Sequence, residues 1–212
     1  MTRSGRFSLC AYLTLSLTTL ACGSSNSGGT TSTTWDQARI ANTGTRWWMN
    51  AQKGAFFLEV RLQLYPAGSP VDDTVGKKQA IDVTKIVAAK SGSTALSLVP
   101  TAAEIPGSWI VDPDVAYTAN GPVATSDSGK AIEWFDGGAD PFFDSTKSYH
   151  ASAVAWENYK ENDASKSDLY VLDLRVWQMA SAADARSVYV DSLQSESFAP
   201  VTWATCTATD CP

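Results

Sequence analysis

Along most of the chain, apolar and polar residues alternate with a period of two. In AFFLEVRLQLY, which begins at Ala55, Phe56, Leu58, Val60, Leu62 and Leu64 fall on one side and Phe57, Glu59, Arg61, Gln63 and Tyr65 on the other. That is the pattern of a strand with one face in a core. YVLDLRVWQM repeats it, setting Tyr170, Leu172, Leu174 and Val176 against Val171, Asp173, Arg175 and Trp177. Further strands are predicted at TRWWMN, STALSLV, SWIVD, KAIEWF, YHASAVAWENY, SVYV and APVTWA, separated by clusters of Gly, Pro, Asn, Asp and Ser. Helical candidates are confined to VTKIVAAK after Asp82 and ASAADARS before Val188. Many short strands at this spacing predict a mainly β fold, an antiparallel β-sandwich or barrel-like domain with one or two short helices.

Two internal echoes sharpen the pattern. LEVRL at 58–62 and LDLRV at 172–176 each place an acid and an arginine two residues apart on one strand face. If the strands are antiparallel neighbours, Glu59 opposes Arg175 and Asp173 opposes Arg61, giving two cross-strand pairs of about 0.2–1 kcal/mol each. YPAGSPVDDTVGKKQAID from Tyr65 and YTANGPVATSDSGKAIE from Tyr117 share Tyr-x-Ala-x-x-Pro-Val, then Gly-Lys, then Ala-Ile and an acid. Both look like hairpins, either with convergent turn chemistry or as traces of a duplication.

The N-terminus departs from the alternating pattern. Arg3 and Arg6 precede an uncharged run from Phe7 to Ala21, the layout of a secretory signal, and the run is short of the roughly 20 apolar residues that span a bilayer. Its end, Thr19-Leu20-Ala21-Cys22, resembles the close of a bacterial lipoprotein signal, with Thr19 where that class usually has Leu. The resemblance covers residues 1–22 only. It implies a diacylglycerol on the sulfur of Cys22, cleavage just before it, a palmitate-bearing membrane anchor and residence in the bacterial envelope. Gly23, where an aspartate would signal inner-membrane retention, implies the outer membrane. Ordinary cleavage after Ala21 would instead leave Cys22 a free thiol.

Residues 22–34 then read as the anchor and a tether. GSSNSGGTTSTT lacks the apolar surface to fold, and spans roughly 20 Å. Residues 35–212 read as a single β-rich domain. With residues 1–21 removed as the signal, Cys10 leaves and Cys22 is acylated, so Cys206 and Cys211 form an even pair. Such a pair is expected to close as a disulfide in an oxidising compartment, worth about 2–3 kcal/mol.

Charge and motifs narrow the chemistry. Loss of Arg3 and Arg6 takes 16 basic residues to 14 against 22 acidic ones, a mature net charge of about −8. Such a surface excludes nucleic acid as a partner and leaves the N-terminal lipid as the membrane contact. His150 is the lone histidine, without a nucleophile elbow, and reads as an ordinary strand residue. GSPVDDTVGK and GPVATSDSGK lack phosphate-loop spacing. In WFDGGADPFFD, Asp136, Asp140 and Asp144 recur every fourth residue. They would suit calcium, completed by Asp163 or Asp168, although Asp-Gly and Asp-Pro are also plain turn formers. No other cofactor is indicated. Glu133 and Glu157, each beside a tryptophan, are candidates for the paired carboxylates of a carbohydrate-active enzyme.

Aromatic content points elsewhere. All eight tryptophans lie from Trp35 onward, and the doublets Trp47-Trp48, Phe56-Phe57, Trp134-Phe135 and Phe142-Phe143 would place neighbouring rings on opposite strand faces. Either both faces are covered, or an aromatic row that includes Trp47, Trp48, Phe57, Trp134, Phe135 and Trp177 forms a binding face. The leading expectation is a lipid-anchored envelope protein that binds a surface glycan or a protein without catalysis. A structural or assembly lipoprotein of a surface, motility or secretion apparatus comes second, and a carbohydrate-active enzyme third.

Overall fold

A computed structural model describes residues 35–66, 70–71, 73–135, 150–192 and 204–205, which belong to one compact unit, Thr31–Pro212. Strands β1 (Gln37–Asn42), β2 (Arg46–Lys53) and β3 (Phe56–Tyr65) form a meander, followed by helix α1 (Asp73–Ala89) and the short α2 (Ala95–Leu98). A 3-10 turn (Ala102–Glu104), β4 (Trp109–Val111), β5 (Val123–Thr125) and α3 (Ser128–Trp134) come next. The long hairpin β6 (Ala151–Glu161) and β7 (Leu169–Met179), helix α4 (Ala182–Ser192) and β8 (Ala204–Thr205) complete the order.

All the strands join one antiparallel sheet in the order β4-β6-β7-β3-β2-β1-β8, with β5 paired to the other end of β6. The domain is therefore mainly β and antiparallel, with an open sheet rather than a closed barrel. The β2–β3 connection is the two residues Gly54 and Ala55, and Gly54 takes a positive φ of 53° that favours glycine.

The two charged echoes meet as expected. β3 and β7 pair with Glu59 opposite Arg175 and Arg61 opposite Asp173. Alternation then sorts the apolar residues of the central strands between two cores. On the first face Leu58, Val60, Leu62, Leu172, Leu174, Val176 and Met49 pack against Ala80, Val83 and Val87 of α1. On the second, Phe57, Val154, Trp156 and Trp177 pack against Ala131 and Phe135 of the α3 segment and Ala185, Val188 and Tyr189 of α4. Each fully buried large side chain contributes about 1.5–3 kcal/mol.

Helix is more extensive than the two short candidates. STALSLV holds α2 instead of a strand, because Thr94 and Ser97 form a reciprocal capping box. KAIEWF lies in α3 and its C-cap, started by the Asp127 side chain accepting from Lys130 N at 3.1 Å. SVYV lies within α4, where Ala185, Val188 and Tyr189 follow helical spacing on the buried side. VTKIVAAK is the end of a helix that already starts at Asp73. The two Gly-Lys, Ala-Ile echoes are accordingly not returning strands: one lies in α1 and the other in α3, and both Ala80 and Ala131 are fully buried. Residues 199–203 of APVTWA lie outside the described residues, and Ala204 begins β8.

Close packing of α1 on β2 makes Gly76 sensitive. A Cβ there would collide with Trp47 Cδ1 and lie 2.7 Å from Trp47 Nε1. Gly76→Ala gains about 1 kcal/mol of helix propensity and loses about 1–3 kcal/mol to overpacking. The expected result is a lower urea midpoint, by about 1 kcal/mol net; an unchanged or higher midpoint would show that Trp47 yields freely.

Candidate functional site

The second face of the sheet changes character along its strands. Its first row, Gln52, Phe57, Trp177 and Val154, lies at the end that α3 and α4 cover. The next rows run Asn50, Glu59, Arg175, Trp156, then Trp48, Arg61, Asp173, Asn158, then Arg46, Gln63, Val171, Lys160. Apart from the buried Trp48, the outer two of these rows, with Arg175 and the segment after β4, line a groove of about 570 Å³.

Buried charges in the inner rows are fixed by partners on several sides. Glu59 is 5% exposed; its Oε2 accepts from Trp177 Nε1 at 2.7 Å and its Oε1 from Arg61 Nη2 at 3.2 Å. Arg175 donates to Asp173 through Nε (3.1 Å) and Nη2 (2.7 Å), and Trp156 Nε1 also donates to Asp173 at 3.1 Å. The ion pairs of these rows thus run along each strand and not across the β3–β7 pair as expected, while Glu59 acts on Arg175 through its field. Burial pulls the Arg175 guanidinium downward, but Asp173 and Glu59 outweigh it and its pKa is raised. Arg61 lies 4.9 Å from the centre of the Trp48 ring and Arg175 lies 4.2 Å from that of Phe135, adding cation–π attraction.

The outer rim carries both signs. Lys160 donates to Asp114 at 2.7 Å, which raises its pKa, and lies 5.4 Å from the Tyr65 ring centre. The backbone N–H of Asp112 donates to Asn158 O at 2.9 Å, which extends the Arg61 row one strand further. Among the described residues Arg46 makes no ion pair. Gln63, Lys160, Arg46, Asp112 and Asp114 were not singled out from sequence; the available signal was the polar half of the alternation in β3 and β6 and the acids that follow SWIV.

The expected binding-face aromatics are placed differently. Trp47 and Trp48 point to opposite faces, as alternation requires, yet both are buried, as are Phe57, Phe135 and Trp177. Trp134 is half-buried and contacts Trp156 and Phe135 at ring distances of 6.3 and 6.4 Å. α3 and α4 cover Phe57 and Trp177 on the second face, Trp47 lies in the first core, and the six residues form no exposed aromatic row.

Glu133 and Glu157 do not share a cleft. Glu133 on α3 accepts from the Tyr117 hydroxyl at 2.9 Å. Glu157 shares the first face with its pair partner Leu174 and is 1% exposed. The sheet separates the two, which removes them as a catalytic pair.

Asp136, Asp140 and Asp144, together with Cys22, Cys206 and Cys211, lie outside the described residues. Of the residues suggested to complete a calcium site, Asp168 is exposed and Asp163 accepts from Ser165 N and Oγ at 3.0 and 2.6 Å, holding a local turn. No group of three metal-ligating side chains occurs among the described residues. His150 is exposed just before β6. No family model, curated protein or solved structure matches the chain.

Glu157 gives the first face a pH dependence. Burial pushes its carboxyl up to about 7, against the opposing pull of the bond from Asn158 N, and its Oε2 has no hydrogen-bond partner among the described residues. Between the ordinary value of 4.5 and about 7, the folded chain holds a proton that the unfolded chain has lost. Its contribution to stability therefore falls as pH rises through that window, by on the order of 3 kcal/mol in total. Glu157→Gln should flatten that slope, so that the variant gains on the native protein between pH 5 and pH 8 in urea melts. Parallel slopes for the two would show that Glu157 does not titrate there.

Proposed function

We propose that the chain is an envelope protein, anchored through lipid on Cys22, that binds a charged ligand without catalysis in the groove on the second face of the sheet. The observation that carries the proposal is the groove itself. Its floor presents Arg61, Arg175 and Asp173, fixed by neighbouring partners, with Arg46, Lys160, Asp112 and Asp114 at the rim. Charges held in place before a ligand arrives lose little on binding and read a complementary pattern.

Binding suits this groove better than proton transfer. Most of its charged groups are already held in ion pairs, and the carboxyl with a pKa near neutrality, Glu157, belongs to the opposite face. Trp47, Trp48, Phe57, Phe135 and Trp177 are buried, and among the described residues lining the groove Tyr65 is the one exposed aromatic ring, a smaller stacking platform than a row of rings would give a neutral glycan. A ligand read by charge, foremost a protein or peptide segment, fits better.

Filling the groove tests the proposal. Gln63→Trp places a large side chain among the lining residues. The full chain in detergent micelles should bind one or more members of a panel of charged glycans and envelope peptides, and the variant should bind at least tenfold more weakly at unchanged melting temperature. Equal binding by both proteins would remove the groove as the site.

The anchor has its own test, since the tether would hold the domain within roughly 20 Å of the bilayer. Cys22→Ala should abolish incorporation of labelled palmitate and shift the chain from the membrane pellet to the soluble fraction. A variant that stays with the membrane would overturn the anchor.

A further inference from the structure

The two ends of the groove are unlike, and each holds a charge that its surroundings leave under-used. At one end Arg46 has neither an ion pair nor a side-chain hydrogen bond among the described residues. Arg61 sits one diagonal step away on β3, opposite Trp48. At the other end Asp112 is 6% exposed, and among the described residues its carboxylate accepts only from Asp114 N at 3.0 Å. Lys160 is nearby but is bound to Asp114, so Asp112 receives its field and no direct bond. Asp112 lines the groove, so an arriving ammonium could bond a carboxylate that no cation of the described residues bonds.

Separation of these ends sets a length. From β2 through β3, β7 and β6 to β4 there are four strand spacings, which place the backbones of Arg46 and Asp112 roughly 20 Å apart. If each side chain reaches a few ångströms into the groove, the gap between the charges would be about 12 Å, the extended length of about three or four residues. A neutral or singly charged ligand would leave one end unmatched. Resting on the groove as the binding site, we infer that its ligand is a short peptide with both ends free, its carboxylate on Arg46 and Arg61 and its ammonium on Asp112 and Asp114.

Calorimetric titration of the full chain in detergent micelles with tetra-alanine, N-acetyl-tetra-alanine and tetra-alanine amide tests the inference. Free tetra-alanine should bind about tenfold more tightly than either blocked form. Arg46→Gln should erase the difference between acid and amide while keeping that between amine and acetyl, and Asp112→Asn should do the reverse. Asp114→Asn provides the second variant at that end should Asp112→Asn fail to fold. Equal affinity for all three peptides would overturn the inference. So would no peptide binding alongside a panel ligand that Gln63→Trp still weakens, a result that keeps the groove and rejects its occupant. Insensitivity of every ligand to Gln63→Trp would remove both.

Discussion

The register between β3 and β7 constrains the rest of the domain, because these neighbouring strands carry charge on one face and aliphatic residues on the other. From Phe56 opposite Gln178 to Tyr65 opposite Leu169 the pairing is continuous. A slip of one residue would turn Glu59 and Arg61, or Asp173 and Arg175, into the aliphatic core beneath α1. Each charge stranded there would cost several kcal/mol. Leu58, Val60 and Leu62 would lose their burial at the same time. The hydrophobic effect and electrostatics therefore select the same alignment, which places β6 beside β7 and β2 beside β3 and so fixes which side chains line the groove.

Tryptophan-rich composition acquires a structural role from this arrangement. Trp177 donates to Glu59, Trp156 donates to Asp173, and Trp48 underlies Arg61. Each ring fills volume in a layer where a smaller residue would admit water, and each meets a charged group that would otherwise lie partly desolvated. In Trp156 and Trp177 the bonded indole N–H adds a fixed donor to the buried apolar area. The same rings thus join the helix-covered end of the second face to its charged end.

The strands at the centre of the sheet were legible because alternation and the LEVRL and LDLRV echo speak about immediate neighbours. Opposition of Glu59 to Arg175 and of Arg61 to Asp173 follows from an acid and a base at equal spacing on antiparallel partners. Segments whose fate rests on a single capping side chain were not legible by period: STALSLV and KAIEWF contain apolar spacing that fits either element, and Thr94 and Asp127 decide for helix. The binding face was illegible for a different reason. Alternation places Trp48, Phe57 and Trp177 on the second face correctly. Whether that face is covered depends on α3 and α4, which approach from distant parts of the chain. Arg46 and Asp112, at the ends of β2 and β4, become ends of one groove only after β3, β6 and β7 have been laid between them.

The two faces handle buried charge in opposite ways, and the contrast bears on what the groove does. Glu157 enters the first face without a basic partner, and burial raises its pKa to about 7. On the second face Glu59 and Asp173 receive arginine and tryptophan donors, and Arg175 stays cationic despite its burial because two carboxylates surround it. A carboxyl that can exchange its proton near neutral pH is the sort of group that acid–base chemistry uses, and in this fold it is sealed on the side away from the groove. On the groove side the burial of Glu59, Asp173 and Arg175 is instead offset by bonded partners within the fold.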